Sequence, residues 1–395
     1  MANFAKDFVM LSLRLNKHIP GLVDSYFGPH RLKTAVDAEE IVPLPALREK
    51  CRELAEAARV EGGDPHLRVY REKQVDALAA QIDRLLGQAT DYYAYVHRLF
   101  DIDLAPIDEA VIDSYHERIA VLLRRLGCEG GIADALLRWE ESNYVAGNEL
   151  ADLVIAICRE ARKRTRRIIR LPRGEEVTVE TVHNQPWSGY NWYQGRYRSL
   201  IQVNLDLPRT RFEAEDLAYH EAYPGHHTDH SCKEKALYRD RGLLETSVIL
   251  INTPESVLGE GIASVAGKFI SSLDAGLADR VDEARRLATL ARELRRACDS
   301  NATIKLHAEG AEPSAVADYL QRRGLMAPQR AAKRLEFLTN PLWSSYSFTY
   351  WFGSRLVEDA YDRATSAGAT EDFFRLLYTG LLVPTTLGER LRELC

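Results

Sequence analysis

Four of the eleven histidines crowd into one short stretch, His220, His226, His227 and His230, and Glu221 directly follows the first of them. These residue types suit a hydrolytic metal centre. Such a centre needs neutral imidazoles converging on one ion, an open position for water and a nearby carboxylate as base. The familiar arrangement is His-Glu-x-x-His on a helix, where positions i and i+4 lie within about 40° on one face and about 6 Å apart in rise. Here position i+4 is Pro224, which cannot bind a metal. Proline removes a helical N–H and Gly225 tolerates unusual dihedrals, so the pair predicts a bulge or kink.

With two residues extruded, His226 arrives about where i+4 would have been, and it is the expected second ligand beside His220. His227 keeps the right face of an unbroken helix, but about 10.5 Å of rise separates it from His220. Pairing His226 with His230 at regular spacing is an alternative that leaves Glu221 without a role. The expected third ligand is Glu260, whose neighbours Gly259 and Gly261 would let another helix come close. Glu255 is the fallback, or else a cap for the helix starting after Pro254. Zn²⁺ is the expected ion, although imidazole and carboxylate donors also suit Mn, Fe and Co. Glu221 is then the general base acting on metal-activated water. The plainer reading is an exposed histidine-rich helix turn shared with Asp229.

The elements that must hold these groups are mostly helices. Apolar residues recur at three- and four-residue intervals near 4–17, 44–61, 67–86, 106–126, 132–144 and 147–170. The pattern resumes at 211–235, 255–273, 276–306, 313–322, 327–337 and 345–366. Between them, residues 171–207 are rich in Val, Tyr, Trp and Thr and broken by Pro and Gly, with short strands expected at Val177–Val179 and Leu200–Asn204. The sequence therefore predicts a mainly α (α+β) fold of one catalytic unit, 1–395. Its parts are an N-terminal helical half (1–170), one small β-sheet (171–207) and a C-terminal helical half (208–395) carrying the metal site.

Composition narrows the function. With 46% hydrophobic and 28% charged residues, the 395-residue chain has ordinary globular content, and a net charge of -6 without a basic tail gives no support for nucleic-acid binding. The basic run Arg162 to Arg170 reads as a solvated helix face. Six scattered cysteines with no Cys-x-x-Cys pair argue against a disulfide framework or a cysteine-based zinc site. Met1 to Asp7 lacks the features of a signal peptide, and no apolar run approaches the ~18 residues of a membrane span. A soluble, cytoplasmic protein is expected, with no membrane partner and an oligomeric state left open.

The stretch His220 to His227 resembles the signature of the bacterial proteins grouped as domain of unknown function 885, which are placed with the zincin metallopeptidases that use Glu as third ligand. Further blocks occur in the same order from about 20 to 360: Pro20 to Pro29, Glu260-Gly261-Ile262-Ala263 (the family has Trp at the third place), Arg296-Ala297 with Leu306-His307, and Tyr350 to Gly353. Between Arg296 and His307 the family's usual second Arg and Asp are lacking, and the chain is shorter than many relatives. The resemblance implies a zincin-like fold and metallopeptidase activity. Tyr350 becomes a candidate donor to the oxyanion of the tetrahedral intermediate, with aromatic packing as its rival role. Arg296 and His307 become candidates for reading a substrate carboxylate or carbonyl. Arg198 to Asn204 would be an edge strand for an extended peptide, placing Asn204 in the substrate site, and Tyr190, Trp192, Tyr193 and Tyr197 are potential cleft residues. The expected substrate is a short peptide or small amide. The alternatives are a hydrolase or lyase acting on one metabolite, and a non-catalytic peptide binder on a peptidase scaffold.

Overall fold

Helical periodicity carries most of the chain into the packed helices it predicts. The structure, a computed structural model, describes residues 4–60, 63–88, 90–271 and 279–394. The expected helix ends at 61, 272–273 and 276–278, together with Met1 to Asn3, Gly62 and Cys395, fall outside the described residues. Mainly helical architecture is what the structure has. Helices at His30–Ala38, Tyr92–Phe100, Thr370–Thr379 and Pro384–Leu394 add to those the sequence predicts. Among the described residues, no helix is long and apolar enough to cross a membrane.

The single small sheet expected from the sequence becomes three small sheets among the described residues. Val23–Tyr26 pairs antiparallel with Val248–Leu250, and Tyr144–Val145 with Arg209–Thr210, so short strands tie the N-terminal helices to the C-terminal ones. Such two- to four-residue strands leave too little alternation to be seen in a sequence.

In the three-stranded sheet, Arg198–Asn204 lies in the middle, parallel to Glu176–Val182 and antiparallel to Gly189–Gly195. It is therefore not an edge strand, which corrects the expectation. The missed strand, Gly189–Gly195, takes the edge. It joins Arg198–Asn204 through Arg196 and Tyr197, both at positive φ (54° and 63°). Positive φ at both positions gives a hairpin of the twist strands prefer, but it is usually signalled by Asn-Gly or Asp-Gly. Arg-Tyr hides it.

The apolar face of this sheet packs on the helix that bears His220. Ile201 and Val203 meet Leu217, Ala218 and Ala222, with Leu150 and Val154 of the helix Gly147–Thr165 behind them. A second layer holds Glu260. Its helix, Pro254–Ser271, crosses Ser347–Ser366 so closely that a Cβ on Gly261 would lie 2.4 Å from the Gly353 carbonyl oxygen. A Cβ on Gly353 would lie 2.1 Å from that of Val257. Two glycines at one crossing let the backbones touch and set the depth at which Glu260 emerges.

Candidate metal centre

The histidine-bearing helix starts firmly and stops abruptly. Thr210 accepts the Glu213 N–H (3.1 Å) while the Glu213 carboxylate accepts the Thr210 N–H (2.9 Å), a complete capping box for Arg211–Glu221. Burial pushes the Glu213 carboxyl up, but the guanidinium groups of Arg330, Arg209 and Arg295 outweigh it and hold the pKa at about 2. Since its folded pKa is depressed, its stabilisation is complete above the unfolded value of about 4.3 and is lost as pH falls toward 2. Glu213→Gln is expected to lower stability at pH 7 by at most about 3 kcal/mol. It should also flatten the loss between about pH 4 and pH 2. Urea unfolding of the two proteins across that window checks this, and parallel pH curves would refute it.

At Ala222 the helix leaves its path (φ −109°, ψ −90°), passes a cis Tyr223–Pro224 peptide bond and restarts as His226–Lys233. Tyr378 donates to the Pro224 carbonyl (2.8 Å) and the Gly225 N–H bonds the Tyr219 carbonyl (3.0 Å), fastening the break. Gly225 is obligatory for space, because a Cβ there would lie 1.9 Å from the His220 carbonyl oxygen. That close return brings the His226 ring to 4.7 Å from the His220 ring, centroid to centroid.

Glu260 completes a trio. One donor atom from each of His220, His226 and Glu260 lies within 4.8 Å of the others. His220 Nε2 stands 3.1 Å from Glu260 Oε2, and His226 Nε2 3.5 Å from Oε1. Glu260 is 4% exposed, and its Oε2 makes no hydrogen bond among the described residues despite that proximity. A buried carboxylate with one unpaired oxygen, set between two imidazoles, is what a shared cation would satisfy. Burial opposes ionisation of Glu260, but His226 and His220 hold it far below the carboxylate range. Burial likewise opposes charge on His226, yet Glu260 draws it up to about 9.

His227 is elsewhere. It is fully buried on the opposite side, bonded through Nδ1 to the Ser199 hydroxyl (2.8 Å) and through Nε2 to Glu175 (3.2 Å). Glu175 also accepts from Tyr223 and from Arg162 (2.6 Å), so the basic run begins with a partly exposed residue paired to a buried carboxylate. His230 stacks on His226 (5.7 Å, 7° between planes), and burial followed by the His226 charge holds it well below the usual imidazole range. Glu255 is engaged by Tyr70 (2.7 Å) and lies 3.8 Å from Lys233.

These groups face a cleft of about 760 Å³, counting the space at its mouth. Glu221 lines it, 7% exposed, and burial raises its pKa against the pull of His220 and His226. Tyr350 lines it too, its ring 6.2 Å from that of His220, with no hydrogen bond from its hydroxyl among the described residues. Tyr346, one turn earlier, was not singled out in the sequence, yet it donates to Glu260 Oε1 (2.7 Å). Tyr190 lines the cleft and donates to Asp24, a second residue not assigned a role there.

Three expected substrate residues lie outside the cleft. Arg296 bonds Glu293 (2.9 Å) and sits 6.0 Å from the Tyr350 ring centroid, one helix turn being enough to supply its partner. His307 donates through Nε2 to the Leu338 carbonyl (2.8 Å) and stacks on Tyr92 (5.7 Å) beside a different surface hollow. Asn204 is 3% exposed and donates to the Gln185 (3.1 Å) and Trp187 (2.8 Å) carbonyls. It therefore shapes the loop that brings Trp187 to the cleft. Of the other aromatics, Trp192 is exposed and Tyr193 is buried against Glu234.

Residues 109–375 match the family model described as bacterial protein of unknown function, DUF885. That span takes in every block from His220 to Gly353 and leaves out Pro20 to Pro29. Among solved structures, the chain is similar to one described as a putative lipoprotein from Colwellia psychrerythraea (TM-score 0.63, 18% identity, 88% of this chain and 66% of that one). It is also similar to a putative lipoprotein of unknown function from Shewanella oneidensis (TM-score 0.58, 13% identity, 92% of this chain and 76% of that one). At such identities the likeness is one of fold. The chain spans just under two thirds of the first of these proteins. No curated protein matches it.

Proposed function

The chain belongs to the DUF885 family of bacterial proteins, and from its own site we propose a zinc-dependent hydrolase of the zincin kind, a metallopeptidase cleaving short peptides or a peptide-like amide. One observation carries the reading: two imidazoles and a buried carboxylate with an unpaired oxygen converge beside Glu221 in a cleft. The donor set fits a catalytic zinc site, in which two His and one Glu leave a further position open. His220, His226 and Glu260 would hold the cation, which would supply Lewis acidity toward the scissile carbonyl and toward water.

The chain's residues do the rest. Glu221 takes a proton from the attacking water and returns it to the leaving nitrogen, and its raised proton affinity suits both transfers. Tyr350, whose hydroxyl has no other partner among the described residues, donates to the oxygen on which negative charge develops. Tyr346 holds Glu260 in its orientation by its hydrogen bond. The edge strand Gly189–Gly195, three of whose residues line the cleft, offers its backbone to an extended substrate in place of Arg198–Asn204. A cytoplasmic location remains part of this proposal.

Purified without chelator, the chain is expected to carry about one zinc per molecule and to hydrolyse members of a di- and tripeptide library. His220→Ala should lose both properties. Metal analysis of wild type and variant decides the first point: no stoichiometric metal in the wild type would overturn the proposal.

A further inference from the structure

Resting on the hydrolase reading, we propose that the cleft selects substrates bearing a protonated amine, received by Asp24 and Asn191 against the wall formed by Trp187, Tyr190 and Trp343.

No Lys or Arg is among the residues lining the cleft, whereas five carboxylates are. Four of those have an assignment. Glu260 and Glu221 serve the metal and the proton, Asp229 is bonded to Lys233 (3.0 Å), and Glu255 takes the Tyr70 hydroxyl. Asp24 is the remaining one. Tyr190 donates to its Oδ1, and no cation pairs with it among the described residues. It is well fixed: its strand pairs with Val248–Leu250, and the neighbouring Ser25 donates to the Tyr193 carbonyl (2.6 Å).

A separate observation points to the same ligand chemistry. Asn191 lines the cleft and is 5% exposed; its Nδ2 donates to the Glu221 carbonyl (2.6 Å), which fixes the amide's orientation. Its Oδ1 is then a buried acceptor with no partner among the described residues. An unpaired buried acceptor is costly unless a ligand supplies a donor. A carboxylate with spare capacity and an orphan amide oxygen call for several N–H donors and a positive charge, as an ammonium group provides. The aromatic neighbours agree, since Tyr190 packs on Trp187 (5.2 Å) and Trp343 (6.1 Å), and the faces of such rings attract cations. Arg296, the guanidinium expected to read a substrate carboxylate, is bonded to Glu293 and does not line the cleft.

The test separates binding from turnover. L-Phenylalaninamide and its N-acetyl derivative are titrated calorimetrically into zinc-supplemented full-length Glu221→Gln, which keeps the cleft but not the base. The free amine should bind at least about 10-fold more tightly, the gain expected of a charge-assisted hydrogen bond. Adding Asp24→Asn should erase most of that ratio while the N-acetyl probe and the zinc content stay unchanged. Equal or tighter binding of the acetylated probe, binding by neither, or a ratio unmoved in a folded Asp24→Asn variant would overturn the proposal. The ratio before Asp24 is altered decides the charge preference even if that variant does not fold. Free-amine preference without any peptide turnover by the wild type would sink the hydrolase reading and leave amine recognition standing.

Discussion

Glu221→Gln is expected to keep its metal and lose about 10²- to 10⁴-fold in turnover, the usual contribution of a positioned acid–base group. The substitution is nearly isosteric, which matters in this position. The Glu221 side chain fits beside Gly189, where an added Cβ would come within 3.5 Å of Oε1 and 2.7 Å of Leu217. Gln fills the same space, so the wall of the cleft, His220, His226 and Glu260 stay where they are. What it removes is proton affinity. Burial raises the Glu221 pKa, so in the wild type the rate should fall on the acid side as the base becomes protonated, at a pH above that of an ordinary carboxylate. The variant's residual rate should lack that limb. Steady-state kinetics across pH, with metal content measured on the same samples, checks both parts; turnover equal to wild type would remove Glu221 from the chemistry.

Gly225→Ala should be the most damaging single-methyl change near the site. A Cβ at Gly225 would meet the His220 carbonyl oxygen at 1.9 Å and that of Tyr219 at 2.4 Å, both backbone atoms. No side chain can swing aside to relieve this, so the restart of the helix must move away from His220. Overpacking of this kind typically costs about 1–3 kcal/mol. The larger effect is on the ligands, because the same movement separates His226 from His220. Zinc affinity should drop at least about tenfold, which corresponds to about 1.4 kcal/mol of lost ligation. Competition with a chelator of known affinity measures this, and wild-type affinity in a folded variant would show that the close return is not what brings the histidines together. As a control, Gly242→Ala has open space around its Cβ position, although its positive φ of 71° makes it a mild backbone strain.

Part of the geometry behind both variants is legible without the fold. The Pro224-Gly225 interruption was legible because proline and glycine act locally, through a missing N–H and a missing Cβ. The consequence, that His226 rather than His227 shares a site with His220, follows from the same local geometry. Glu260 was legible from its flanking glycines, although Gly353, the partner that makes Gly261 necessary, lies almost a hundred residues away. The residues that came out differently were those whose surroundings are tertiary. Arg296 found Glu293 on its own helix and His307 found a carbonyl, while Asn204 turned to the loop behind the cleft. Each has donors able to bind a substrate, and nothing local says that a protein partner is nearer.

From its sequence alone this protein is a mainly helical chain with an interrupted histidine helix and an acid next to the first histidine, because helical periodicity and the Pro-Gly break are short-range properties. Only the tertiary structure decided what faces the cleft. Strand order put Gly189–Gly195 at the edge and Arg198–Asn204 in the centre, and a four-residue strand from the far N-terminus delivered Asp24. The turn leading into the helix Ser347–Ser366 delivered Tyr346 to Glu260. Which carboxylates remain unpaired, and so the sign of charge a ligand meets, depends on contacts between segments up to some two hundred residues apart, and spacing along a chain carries no record of them.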